Sequence, residues 1–389
     1  MKKKLAFFLG ISPNWAFAAG NVAIALNRYC RNNAYDIVIY HSGLSEQDKR
    51  VFMKIPHCIL KEYTLEEKFI EFMLESLPEE CRFRTRERLM CFAHFEAFRL
   101  LEEYENVVWL DADILVREDM TGLMKLAPLA FAADRHSVGE QFIASFQCKY
   151  DLNREAIRIS MMVLGDSLPY EEMYKWCYQE AWKYAAYSKN PEQAVINLCL
   201  QEFDLQPLLI PNDWQCCDPY IFEISIESRC IHFGTEHKVW NDEKLFIFYP
   251  EWYRNHAKWL KLGGSVSNDY KIAQGYPSDI FQRIMKGKKS LFRFDKVPTQ
   301  SKIIIYGGGK IGHRYIEQIQ EIEYCTVIAV LDKNASKVRD LPVPVLLPEE
   351  LSQIVSYDYI VIALKDEKMI QEVRQKLLQI GVDEKKIVI

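Results

Sequence analysis

Short apolar runs of strand type alternate with stretches of helical spacing from the first residues of this chain. KLAFFLGI (4–11), YDIVIYHSG (35–43), NVVWLDADILV (106–116), LAFAAD (129–134) and ISMMVLG (159–165) are the strand candidates. AAGNVAIALNRYC (18–30) has helical spacing between the first two, and Glu79–Tyr104 is expected to be helical and leads into the third. That alternation restricts the chain to an α/β fold. At 389 residues two domains are expected. The composition shifts near Leu262, where GGSVSNDYKIAQGYPSD (263–279) reads as loop. The expected division is a main domain over 1–262, a connector over 263–300, and a small domain over 301–389 that opens on the strand KIIIYGGGKIG (302–312).

Composition removes several function classes. The net charge of -5 offers no general basic field, so no nucleic-acid partner is expected. No apolar run reaches the length of a membrane span. The 11 cysteines are scattered without CxxC pairs or Cys/His ligand spacing, which fits a reducing, cytoplasmic compartment. The opening MKKKLAFFLGISPNWAFAAG has two readings: a secretory signal cleaved after Ala18, or a first buried strand with a ligand-contacting loop.

Three places carry candidate chemistry. Asp111-Ala112-Asp113 follows the apolar VVWL, and in an extended chain residues i and i+2 point the same way, so both carboxylates can reach one Mg²⁺ or Mn²⁺. Alone, the triplet is equally two solvated turn aspartates. His232, in CIHFGTEHKVW (230–240), is a candidate third ligand, and Lys238 a point charge for phosphate oxygens. Alone, a single histidine is more often a surface or core residue. Gln193 sits in NPEQAVINLCL (190–200) at a helix start marked by Pro191, a place where glutamine is usually solvated or capping.

Together, in this order, the fragments resemble glycosyltransferase family 8, the retaining transferases of the GT-A fold. FFLGISPNWA is similar to the family's nucleotide-gripping first loop, VVWLDADILV to its strand-DxD-strand, PEQAVIN to its Asp-Gln-Asp-x-x-Asn motif, and HFGTEHKVW to its His-aromatic…Lys-Pro-Trp motif. The resemblance implies a Rossmann-like nucleotide-diphospho-sugar fold over residues 1 to about 260. It implies Asp111, Asp113 and His232 as ligands of Mn²⁺ or Mg²⁺, with Asp111 and Ala112 beside the nucleotide. Gly10, Ile11, Ser12 and Trp15 would hold the uracil, making the opening a core strand. Lys238 would hold the diphosphate, Gln193 would lie near the anomeric carbon, and Asp134 near a sugar. The implied reaction retains configuration along a front-face path. The sequence departs from the family at Ser12 (usually Asp), Ser160 (Asn), Glu192 and Ala194 (both Asp), Val239 (Pro) and His94 (Arg, with Arg88 nearby). These departures cluster around the sugar.

The last segment places Gly307-x-Gly309-x-x-Gly312 between a strand and a helix, with Asp332 ending the next strand, VIAVLD. That is a dinucleotide fingerprint in a domain expected to hold little more than one βαβαβ half. It resembles the small Rossmann-like modules attached to bacterial surface-polysaccharide enzymes. Either it senses a nucleotide or nucleotide-sugar, or its glycines serve packing and the module is a scaffold or homo-oligomer contact. The connector residues 281–296, basic with interleaved aromatics, either lie on the cytoplasmic face of an anionic membrane or form a solvated linker. The expectation for the whole is a bacterial-type, cytoplasmic, metal-dependent hexosyltransferase carrying a sugar from a UDP-sugar to a surface glycan such as lipopolysaccharide or capsule. The alternatives are a nucleotide-sugar sensor with a degenerate transferase domain, and an NAD-linked sugar oxidoreductase resting on the glycine fingerprint alone.

Overall fold

The structure, a computed structural model, describes residues 2–30, 34–217, 228–242, 245, 249–266, 292–293, 296–298, 301–321, 325–339, 341–354 and 356–389. The chain divides into two compact units, Met1–Lys238 with Asn255–Tyr270 and Val239–Arg254 with Lys271–Ile389.

In the first unit, β1 (Lys3–Ile11), β2 (Asp36–His41), β3 (Cys58–Glu62), β4 (Tyr104–Leu110), β6 (Leu129–Ser137), β7 (Glu155–Gly165) and β8 (Leu208–Leu209) form a seven-stranded sheet. Its order is β3-β2-β1-β4-β7-β6-β8. The first four strands are parallel, and β7 runs antiparallel between β4 and β6. A second, three-stranded sheet, β5-β10-β9, is built from β5 (Ile114–Val116), β9 (Gln215–Cys216) and β10 (Cys230–His232). Leu5 to Leu9 are all buried, as expected of a parallel strand covered on both faces. The residues that a signal reading makes an apolar core and a cleavage site are here β1 and the start of α1 (Ala16–Tyr29). Ala16 to Leu26 are buried without interruption, because a helix apolar on all sides has no solvent face.

The helical expectation over Glu79–Tyr104 is corrected. The segment is a 3₁₀ run at Arg88–Phe95, one short α turn at Glu96–Arg99, and a second 3₁₀ turn at Leu100–Glu102. Every residue from Leu89 to Leu101 except Cys91 and Arg99 is buried, so no solvent-facing stripe marks a 3.6-residue period there. Two further helices matter to the site's surroundings: Tyr170–Tyr184, and Pro191–Glu202 with Pro191 in its first turn.

The second unit carries five parallel strands: β11 (Lys302–Tyr306), β12 (Thr326–Leu331), β13 (Val345–Leu346), β14 (Tyr359–Ile362) and β15 (Ile387–Val388), in the order β13-β12-β11-β14-β15. Two strands thus lie beyond the expected half-fold, on the far side of β11. Two fingerprint glycines are demanded by packing. Gly307 has φ +113°, and a Cβ on Gly312 would strike the Gly307 carbonyl, whereas one on Gly309 would meet open space. Asp332 Oδ2 accepts the Gly308 N–H at 2.7 Å, and Oδ1 accepts from Asn334 N–H at 2.8 Å. Of the membrane-contact candidates at 281–296, only Phe292, Arg293 and Lys296 lie within the described residues. Phe292 is buried against Tyr315, and the Arg293 and Lys296 side chains donate to the Ile389 carbonyl. Among the described residues no helix is long and apolar enough to cross a membrane.

Candidate active site

The carboxylates of Asp111 and Asp113 converge through a turn, which corrects the extended-chain argument. β4 and β5 belong to different sheets, so the chain bends between them, and the Asp111 carbonyl accepts the Ile114 N–H at 3.2 Å. β10 pairs antiparallel with β5, His232 opposite Ile114, and the Phe233 N–H donates to the Asp113 carbonyl at 3.1 Å. That register brings the imidazole to the aspartates. His232 Nε2 lies 3.4 Å from Asp111 Oδ2 and 3.3 Å from Asp113 Oδ1.

One ligand atom from each of the three falls within 4.8 Å of the others. Oxygen and imidazole donors bound about 2.1 Å from a small divalent ion at right angles stand about 3 Å apart. The donor set and the two spacings to His232 therefore fit Mg²⁺ or Mn²⁺. Burial pushes the pKa of both carboxyls up, but their neighbours outweigh it and hold them below the usual range: His232 and His94 for Asp111, His232 and Lys238 for Asp113. Burial pushes the His232 imidazole down, yet Asp113 and Asp111 raise it well above its ordinary value.

Asp111 is held from the opposite side. Trp109 Nε1 donates to Asp111 Oδ1 at 2.8 Å, and His94 Nε2 lies 3.4 Å from the same oxygen. The His94 ring packs 3.9 Å from Trp109, and its Nδ1 is 2.6 Å from the Cys91 carbonyl. So His94 reaches the Asp111–Asp113–His232 cluster, while Arg88 donates to the Arg82 carbonyl. Lys238 Nζ is 2.5 Å from Asp113 Oδ2 and 5.6 Å from the Trp15 ring centroid. Trp15 ends a 3₁₀ turn (Pro13–Trp15) whose preceding residue, Ser12, accepts the Trp15 N–H through its carbonyl at 3.0 Å. Ile11 is buried at the end of β1. Gly10 is where β1 meets the 3₁₀ run, since a Cβ there would sit 2.8 Å from both Ala93 and Trp109. Ala112 occupies the turn between the two aspartates.

A second cluster joins Gln193 and Asp134. Gln193 Nε2 donates to Asp134 Oδ2 at 3.0 Å. Sequence reasoning missed the residue that links the two clusters. Arg158 on β7 lies 3.5 Å from Asp134 Oδ1 and also interacts with the Cys217 thiol, which interacts in turn with His232. Burial pushes the Cys217 thiol up, but His232 and Arg158 hold it below its ordinary range. A lone arginine two residues before Ser160, on one face of an apolar strand, was the available signal. Gln215, also missed, donates from Nε2 to Ser160 Oγ at 3.2 Å. Glu192 is buried, which pushes its carboxyl pKa up, and its Oε2 has no hydrogen-bond partner among the described residues. A cavity of about 310 Å³ runs from Asp134 past Arg154, Asn197, Gln206 and Leu209.

The family model for glycosyl transferase family 8 matches residues 6–157, and the one described as C2185-like, N-terminal, matches residues 299–388. The apo structure of the bifunctional glycosyltransferase WbbM is similar at 16% identity and a TM-score of 0.51, covering 68% of this chain and 52% of that one. This chain thus spans about half the length of WbbM. The galactosyltransferase LgtC, in complex with donor and acceptor sugar analogues, aligns at 12% identity over 66% of this chain and 99% of its own, with a TM-score of 0.47. No curated protein matches the chain. The sheet order, the parallel-rich architecture and the matched segments agree: the chain carries a glycosyl transferase family 8 domain of the GT-A fold, followed by a C2185-like domain.

Proposed function

We propose that the first unit is a metal-dependent retaining hexosyltransferase that moves a sugar from UDP-sugar to a surface-glycan acceptor. One observation carries the reading: two aspartates and a histidine, far apart in sequence, meet within 4.8 Å inside the first unit of a chain with a family 8 domain. Asp111, Asp113 and His232 would hold the divalent cation, which when bound neutralises a diphosphate leaving group. Trp109 and His94 fix the Asp111 carboxylate on its far side. Lys238 adds charge for the developing phosphate oxygens. Ser12 and Trp15 lie in the loop that would meet the base, and Gln193 with Asp134 forms the hydrogen-bonded pair that would face the sugars. The UDP and hexose assignments rest on the family resemblance.

Transfer from radiolabelled UDP-hexoses, with Mn²⁺ or with chelator, tests this on the full chain. Asp113→Asn should lower transfer by about two to three orders of magnitude, the scale of losing an electrostatic contact to the transition state. Full activity in that variant, or full activity in chelator, would sink the reading.

A further inference from the structure

Lys238 stands where an arriving cation must act. Its ammonium is 2.5 Å from Asp113 Oδ2 and 2.5 Å from the Phe233 carbonyl, while the other Asp113 oxygen faces His232. Only 13% of the lysine side chain and 10% of the aspartate side chain is exposed, so water screens little of this pair. A divalent ion drawn to Asp113 meets a positive charge already seated on the same carboxylate. Like charges on one buried oxygen pair repel, and the four-carbon stem of lysine gives the ammonium a way out. The ammonium already lies 5.6 Å from the ring centroid of Trp15 in the first loop, the side from which the proposed nucleotide would come.

We infer that Lys238 is the resident counter-ion of the metal-free site. A divalent cation displaces it from Asp113, and only the displaced ammonium is available to the diphosphate. Cation binding therefore comes first and strengthens nucleotide binding through one side chain. By linkage the nucleotide must strengthen cation binding by the same factor. This rests on the metal-site reading above, but it makes a separate demand: removing the lysine should help the metal and hurt the nucleotide.

The test is calorimetric titration of the full chain with Mn²⁺ alone, then with UDP in the presence and absence of Mn²⁺, for the native protein, Lys238→Met and Lys238→Arg. Lys238→Met should bind Mn²⁺ about tenfold more tightly than the native chain and lose most of the gain in UDP affinity that Mn²⁺ confers. Lys238→Arg, which keeps the charge, should show no gain in Mn²⁺ affinity. Equal or weaker Mn²⁺ binding by a folded Lys238→Met overturns the inference while leaving the metal site standing. No Mn²⁺ binding to the native protein overturns both. A measurement that needs no variant is the rate at which an amine-directed acylating reagent labels Lys238, followed by peptide mass spectrometry. Labelling should rise when Mn²⁺ is added and fall again when UDP follows; a rate indifferent to Mn²⁺ overturns the displacement.

Discussion

Arg158 shows how a single side chain can tie a site together. Its guanidinium interacts with the Asp134 carboxylate on one side and the Cys217 thiol on the other, and these lead to Gln193 and His232 respectively. Removing it leaves Asp134 with the Gln193 amide and the Arg135 N–H, enough to keep the carboxylate bound but not to fix its orientation. Arg158→Met should therefore lower kcat about tenfold or more with little change in the donor KM, and millimolar guanidinium should restore part of the loss. Steady-state kinetics with and without guanidinium checks both halves. The metal candidates were legible because Asp-x-Asp and a downstream histidine are a pattern. Arg158 was not, because an arginine in EAIRISMMVLG reads as an edge charge until β7 is known to lie between β4 and β6.

At the level of elements, the helix Pro191–Glu202 is tied to β7 by one buried amide. Asn197 Oδ1 accepts the Ile157 N–H at 2.8 Å, and its Nδ2 donates to the Ile157 carbonyl at 3.2 Å and the Gln193 carbonyl at 2.9 Å. Ile157 lies between two register shifts in the β6–β7 pairing, where its strand polar groups need a partner from outside the sheet. Asn197→Leu should cost about 3 kcal/mol, because both polar groups of Ile157 then stay buried without a partner. Chemical denaturation, read as a midpoint shift at constant slope, measures it. The strands β1, β2, β4, β6 and β7 could be read from apolar runs, but not β3, whose CILKE ends in two charges. The 3₁₀ turns at Arg88–Phe95 and Leu100–Glu102 could not be read either, since burial of nearly the whole segment leaves no periodic stripe that tells them from an α-helix. Nor could the split of VVWLDADILV between two sheets, because both halves are equally apolar.

For the whole molecule, acid sensitivity should fall on the first unit. His256 is 2% exposed, and burial holds its imidazole down at about 4, against an ordinary 6.5. A depressed histidine stabilises the fold fully above pH 6.5, and the contribution is lost as pH falls from there through about 4. The shift corresponds to about 3 kcal/mol. Calorimetric unfolding between pH 7 and pH 4 should show the first unit's transition moving down, and His256→Gln should flatten that movement. Composition marks a change near Leu262, but the grouping of residues 239–254 with the C-terminal residues follows from packing that no local pattern encodes. The convergence of the site on one spot has a consequence for how the chain reaches its final state. Asp113 and Lys238 are 125 positions apart, and the aspartates and His232 meet only once the small sheet has closed. Contacts of that sequence separation carry the closure entropy of the loop between them. If the three residues hold a cation as proposed, a chain in which β10 has not yet paired with β5 would lack the third ligand and be blind to the ion.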